Sequence, residues 1–243
     1  MAASKEVAKV AKGTAVGAPL DIAAEMERIK AMTGAVAGNQ IKTDEKTFTF
    51  PDGEVTSDPV ELVIVNFTSM NSYYEGKYDP KNIVPPNCFA IHPIVTEMVP
   101  SDNSPDKQCE TCALCPLNQF GSDGDGKACK NTRRLAVLRP DQPDADIMVL
   151  SVSPTALKSF DRYVQALVRT HGKLPAQVIT TVSFNESVKY SQLVFSNAVP
   201  LDDAAPFIAR REEAMDVLST EPDVSSFAAK PAKPAAKARA TRR

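Results

Sequence analysis

Cys88, Cys109, Cys112, Cys115 and Cys129 are the cysteines of the chain, separated by twenty, two, two and thirteen residues. Two residues between cysteines let both sulfurs turn onto one ion at roughly 2.3 Å, the geometry of a tetrahedral zinc–thiolate site. Between these clamps, residues 92–128 carry almost no periodic apolar pattern. A loop that long inside a compact domain is uncommon unless something pins it, and a structural metal would replace the core it lacks. Five candidates compete for four places. Cys109, Cys112, Cys115 and Cys129 make a local set. Cys88, Cys112, Cys115 and Cys129 make a set that also ties in the preceding strand, and it is preferred because a distant ligand closes a longer loop. The expected cofactor is a structural Zn2+, with the zinc loop at 88–129. The rival is an iron–sulfur cluster, because Cys109, Cys112 and Cys115 followed by Pro116 open like the bacterial ferredoxin run. That run needs a fourth cysteine at position 119, which is Gln.

A catalytic zinc would keep one position open for water, beside a histidine and a general base. His92 and His171 are the two histidines, and neither belongs to a His-x-Glu motif of the nucleobase deaminase kind. No phosphate-binding glycine loop, nucleophile elbow or dinucleotide fingerprint occurs either. The chain is therefore read as a non-enzyme.

Single-stranded nucleic acid is bound by aromatic rings that stack on bases and by cations that follow phosphates. Tyr73, Tyr74 and Tyr78 alternate with Lys77 and Lys81 in one loop-like stretch. Lys127, Lys130, Arg133, Arg134 and Arg139 form a second basic stretch without an acid, and Lys158, Arg162 and Arg169 lie opposite a helical apolar stripe. The plainer alternative is that the tyrosines cover core edges and the cations solvate a surface. The expected contacts are Tyr73, Tyr74 and Tyr78 on bases, with Lys77, Lys127, Lys130, Arg133, Arg134 and Arg162 on phosphates.

These residues need a scaffold, and the 243-residue chain, 43% hydrophobic with 10 glycines and 19 prolines, is long enough to build one. Alternation and β-branched runs predict strands at 47–50, 60–68, 88–91, 134–139, 147–153, 178–184 and 190–197. A helix opens at Ser153 as N-cap, with Pro154 in its first turn, and ends at Gly172. A second helix is expected at about 203–219 and a short one at 21–34. Residues 1–17 read as a disordered arm, 18–220 as one domain, and 221–243 as a disordered tail. That tail holds six basic residues and no acid after Ser225, so the body is acidic within a chain of net charge −2. Bulk charge gives no argument for nucleic-acid binding, and local patches must carry it. No run of eighteen apolar residues and no signal peptide is evident, so a cytoplasmic protein with no membrane partner is expected.

With a helix between the third and fourth main strands, the order suits a mainly β fold with α elements: an OB-like five-stranded barrel with added hairpins, the zinc loop and a C-terminal helix. A general α+β sandwich is the alternative. Pro86-Asn87-Cys88-Phe89, the stretch Cys112 to Ser122, Gly126 to Asn131 and Arg133-Arg134-Leu135 resemble a phage-encoded family of OB-fold single-stranded DNA-binding proteins with a cysteine-rich zinc loop. The likeness covers roughly residues 60–215. It implies sequence-tolerant single-stranded DNA binding in replication or recombination, with replication or recombination proteins as further partners, and is compatible with a homo-oligomer. Many such proteins end in an acidic tail, whereas this chain ends in a basic one. The alternative function is a zinc-containing adaptor for a replication or transcription protein.

Overall fold

A computed structural model describes residues 38–76 and 83–228, together with Ile22 and Arg28, both helical. The chain divides into two units, Met1–Gly38 and Asn39–Arg243. The arm at 1–17, most of the helix expected at 21–34, Lys77, Tyr78 and the tail from 229 lie outside the described residues.

The second unit is mainly β. Its strands are β1 (Gln40–Asp44), β2 (Thr47–Thr49), β3 (Val55–Thr56), β4 (Val60–Tyr73), β5 (Cys88–His92), β6 (Lys130–Leu138), β7 (Met148–Val152), β8 (Val178–Phe184) and β9 (Leu193–Pro200). The helices are α1 (Leu157–His171), α2 (Ala205–Ala209), α3 (Arg211–Leu218) and the single turn α4 (Ser225–Ala228). The strands form one curled mixed sheet in the order β3-β2-β1-β7-β6-β4-β8-β9, with β5 added to β4.

Strand β4 organises this sheet. It pairs with β6 along one edge, and with β8 and then β5 along the other. Its run Leu62-Val63-Ile64-Val65 is apolar without alternation because both faces are covered, as in strands buried on two sides. Leu62 and Ile64 join the core capped by Phe160 of α1, while Val63 and Val65 join the core under Phe207 of α2 and Leu218 of α3. A bulge falls at Val65, between the pairs Ile64 with Val137 and Asn66 with Ala136. The extra residue swaps the faces beyond it. Phe67 thus returns to the Phe160 side at a ring distance of 5.2 Å, and Asn66 turns to donate to the Arg211 carbonyl.

Several expected boundaries shift. Helix α1 starts at Leu157 rather than at Ser153, because Ser153 closes a turn through the Ala156 amide and its hydroxyl meets that of Thr155. Gly172 does end the helix, at φ +58, with its N–H on the Leu167 carbonyl. The helix expected at 203–219 is two helices broken at Arg210, whose guanidinium reaches the Pro143 and Ala145 carbonyls and Glu213. Strands β1 and β3 were not foreseen. Residues 221–228, assigned to the tail, are ordered: Glu221 accepts hydrogen bonds from Ser101 and Asn103, and α4 follows.

Candidate metal centre and basic surface

Strand pairing brings the outer cysteines together. Cys88 opens β5 opposite Tyr73, and Asn71 pairs with Asn131, two residues beyond Cys129. Side chains two apart share a face, so Cys88, Tyr73, Asn71, Asn131 and Cys129 lie on one side of the sheet. The loop carrying Cys109, Cys112 and Cys115 folds over that side. All five cysteines line one cavity of about 10 Å³, the space of roughly one water-sized sphere. Cys88, Cys112, Cys115 and Cys129 are buried, and Cys109 is half-buried.

The loop has little apolar support: its own cluster is Ala90, Met98 and Cys112. Hydrogen bonds shape it instead. The Cys112 amide donates to the Met98 carbonyl at 3.0 Å, and the Cys129 amide donates to the Leu117 carbonyl at 2.9 Å. Asn118 donates to the Cys112 carbonyl at 2.8 Å, and Gln119 donates to the carbonyls of Ala113 and Cys115. Ser122 donates to the Leu117 carbonyl and receives the Ala128 amide. The turn between them needs Gly121, whose φ of +90 disfavours a side chain.

An amide network supports one thiol. Asn131 donates to the side-chain oxygens of both Asn71, at 2.6 Å, and Asn118, at 2.9 Å, while the Asn71 side chain hydrogen-bonds Cys112. Outer partners of this kind fix the orientation of metal ligands. Sequence reasoning missed them, because asparagines in loops and strand ends carry no spacing signal of their own.

Burial pushes the Cys129 and Cys109 thiols up to about 12, helped by the charges of neighbouring cysteines and, for Cys109, by a hydrogen bond to Cys115. Burial raises Cys112 as well. A cation bound among these sulfurs would reverse that effect, because sulfur binds a metal ion as thiolate. Among the described residues, no group of three or more His, Cys, Asp or Glu side chains has the geometry to hold a metal ion. The sulfurs are gathered around one space but not converged on a point. Donor type and burial suit a thiolate-bound ion, whereas the spacing of the sulfurs does not.

The expected nucleic-acid contacts do not form one surface. Tyr73 faces the cysteine cavity, while Tyr74, just past the strand, is 42% exposed, with its hydroxyl pKa raised by burial and partly offset by a hydrogen bond to Ser72. Arg133 turns to α1 and pairs with Asp161 at 3.4 Å. Arg134 turns to the opposite side and donates to the Thr220 carbonyl at 2.7 Å and to Val217 at the end of α3; burial lowers its pKa. Arg139 pairs with Asp52 and Glu54 and lies 4.3 Å from the centre of the Phe50 ring. Lys130 pairs with Asp123 at 3.3 Å, and Arg162 is exposed on α1.

Arg134 thus acts as a helix-end partner. Hydrogen bonds to charged groups contribute about 1.5–3 kcal/mol, so Arg134→Met is expected to lower stability by about that amount. A urea titration read by circular dichroism measures it.

A missed aromatic stands out beside the cysteines. Phe120 is 80% exposed, with Lys127 Nζ 5.1 Å from its ring centre. A large aromatic immediately before a turn glycine in an otherwise aperiodic loop was the available signal. Among the described residues, no helix is long and apolar enough to cross a membrane. No family model matches the chain, and neither a curated protein nor a solved structure matches it.

Proposed function

We propose that the chain is a sequence-tolerant single-stranded DNA-binding protein built on an OB-like barrel, with a structural Zn2+ held by Cys88, Cys112, Cys115 and Cys129. The observation that carries this reading is the strand order β7-β6-β4-β8-β9, with α1 between β7 and β8. Renumbered from β4 as first strand, this is the third-second-first-fourth-fifth order of an OB barrel with its helix after the third strand. The long, bulged β4 shared by both halves supports it further. One feature departs: the free edge of β7 is taken by β1 in parallel rather than by β9.

OB barrels bind oligonucleotides on the face of strands two and three and with the loops after strands one and four. Here the connection from β4 to β6, which includes β5, carries the cysteines, Phe120 and Lys127, and Lys130 opens β6. The four buried thiols favour the ligand set that includes Cys88. When bound, the ion would supply only a fixed point for the loop. The assignment to a phage replication or recombination system, and to the cytoplasm of its host, rests on the motif resemblance.

The test is anisotropy of a labelled oligo-dT across a salt series. Affinity should fall with salt, with a log–log slope of about −0.7 per phosphate contact. Phe120→Ala should weaken binding by about 1–3 kcal/mol, the worth of one base stack. No binding at about 50 mM salt, or no response to salt, overturns the reading.

The adaptor alternative draws on Leu114, which is 82% exposed on the same loop and offers nothing to a phosphate backbone. Co-purification with one defined protein, without an oligonucleotide shift, would favour it.

A further inference from the structure

An open cleft of about 480 Å³ lies between the first turns of α1 and the β8–β9 hairpin, remote in sequence from the cysteine loop. Its volume is in the range of small-ligand sites. Tyr163 and Phe195 line it, with ring centres 6.1 Å apart, and the Tyr163 hydroxyl is tied to Thr180 at 2.7 Å. Phe195 belongs to the core, and the half-buried Tyr163 packs against it, so Tyr163 presents the more open ring to the cleft. Lys158 and Arg162 stand one helical turn apart on the cleft wall, both exposed. The acids nearest in sequence are engaged elsewhere: Asp161 holds Arg133, and Glu186 holds Lys46 at 3.1 Å. Neither acid therefore pairs with Lys158 or Arg162.

The far rim is polar and set in place. Asn185 donates to the Gln192 side-chain oxygen at 2.6 Å, and Gln192 donates to the Thr155 carbonyl at 2.8 Å, which ties the hairpin to the turn before α1. The same hairpin carries Lys189 and a 52% exposed Tyr190. An aromatic floor, a cationic wall and an amide rim together match an aromatic heterocycle bearing a phosphate.

We propose that this cleft binds one nucleotide unit of a single strand, with its base over the Tyr163 and Phe195 side and its phosphate at Lys158 and Arg162. The inference rests on the single-stranded DNA reading above and adds a second anchoring point to it. A strand held both here and at Phe120 would be engaged at two separate places on the molecule.

The test compares the wild-type protein with the double variant Lys158→Glu, Arg162→Glu, using oligo-dT across a salt series and thymidine 5′-monophosphate followed by nuclear magnetic resonance. Both side chains are exposed, so thermal unfolding should match that of the wild type. The expected result is a salt slope shallower by about 0.7, the share of one phosphate contact on a single strand, and a loss of monophosphate affinity of about tenfold or more. The charge-keeping variant Lys158→Arg, Arg162→Lys should restore the slope. Equal slopes and equal monophosphate shifts in wild type and double variant overturn the inference and leave the single-stranded DNA reading standing. Wild-type protein that binds no oligo-dT overturns both.

Discussion

Cys115→Ser is expected to free the stretch between β5 and β6 while leaving the rest of the sheet intact. Hydrogen exchange read by mass spectrometry should show amides of residues 93–129 exchanging within minutes and those of β4, β6 and β7 still protected. The reason is the near absence of apolar support in this loop, whose own core is Ala90, Met98 and Cys112. Its hydrogen bonds are mostly exposed or half-buried, and such bonds contribute little net stability once water can compete. Elemental analysis of the wild type should find one zinc per chain, and Cys115→Ser should find none. Cys109→Ser decides between the two ligand sets: it should keep the metal, because Cys109 is the least buried of the five. Loss of metal from Cys109→Ser with retention in Cys88→Ser would select the local set instead. Wild-type protein that is metal-free yet protected throughout the loop would remove the metal from the account.

Phe160→Ala is expected to destabilise the protein by about 3–5 kcal/mol, the usual result of emptying a fully buried aromatic position. Phe160 is completely buried, and its ring meets those of Phe67 and Phe195 at 5.2 and 5.1 Å, edge to face. The side chain therefore joins α1 to both β4 and β9, and no single neighbour can collapse into the hole. Against a typical domain stability of about 5–15 kcal/mol, the loss takes a large share. A guanidinium chloride melt followed by circular dichroism measures it, and a shift below about 1 kcal/mol would mean that α1 is held chiefly by other contacts. Because Phe195 also lines the α1 cleft, the variant should weaken thymidine 5′-monophosphate binding even at temperatures where the fold survives.

The strands legible in the sequence were those with a strong apolar signal of their own. β8, Val178–Phe184, alternates buried and half-buried residues along its whole length and was read with its boundaries intact. β4 was read short, as 60–68, because beyond Thr68 it carries Ser69, Asn71 and Ser72, polar yet buried, with the half-buried Met70 among them and the half-buried Tyr73 at its end. Polar residues inside a sheet become visible only once β5 and β6 flank them. β1, with the sequence QIKTD, buries one side chain, Ile41, and owes its existence to pairing with β7 and β2. No local window could supply those partners.

The site divides in the same way. Cysteine spacing carried the metal hypothesis, since thiol chemistry follows from residue type alone. The arginines were harder to read, because a basic run in a strand alternates between faces: Arg133 and Arg134 are neighbours in sequence yet reach Asp161 on α1 and carbonyls at the end of α3. The placement of Lys158 and Arg162 on a cleft wall depended on a hairpin about thirty residues away, beyond what helical periodicity describes.

The parallel pairing of β1 with β7 bears on how the chain comes together in time. The Asn39 side chain beside β1 donates to the Ile147 carbonyl beside β7 across a separation of 108 residues. The β1–β3 ribbon is therefore synthesised long before its docking edge exists, with Ile41 and Phe48 awaiting a core. Pairings so distant slow folding, and the last event in refolding should be capture of this ribbon by an already assembled β4–β6–β7 sheet.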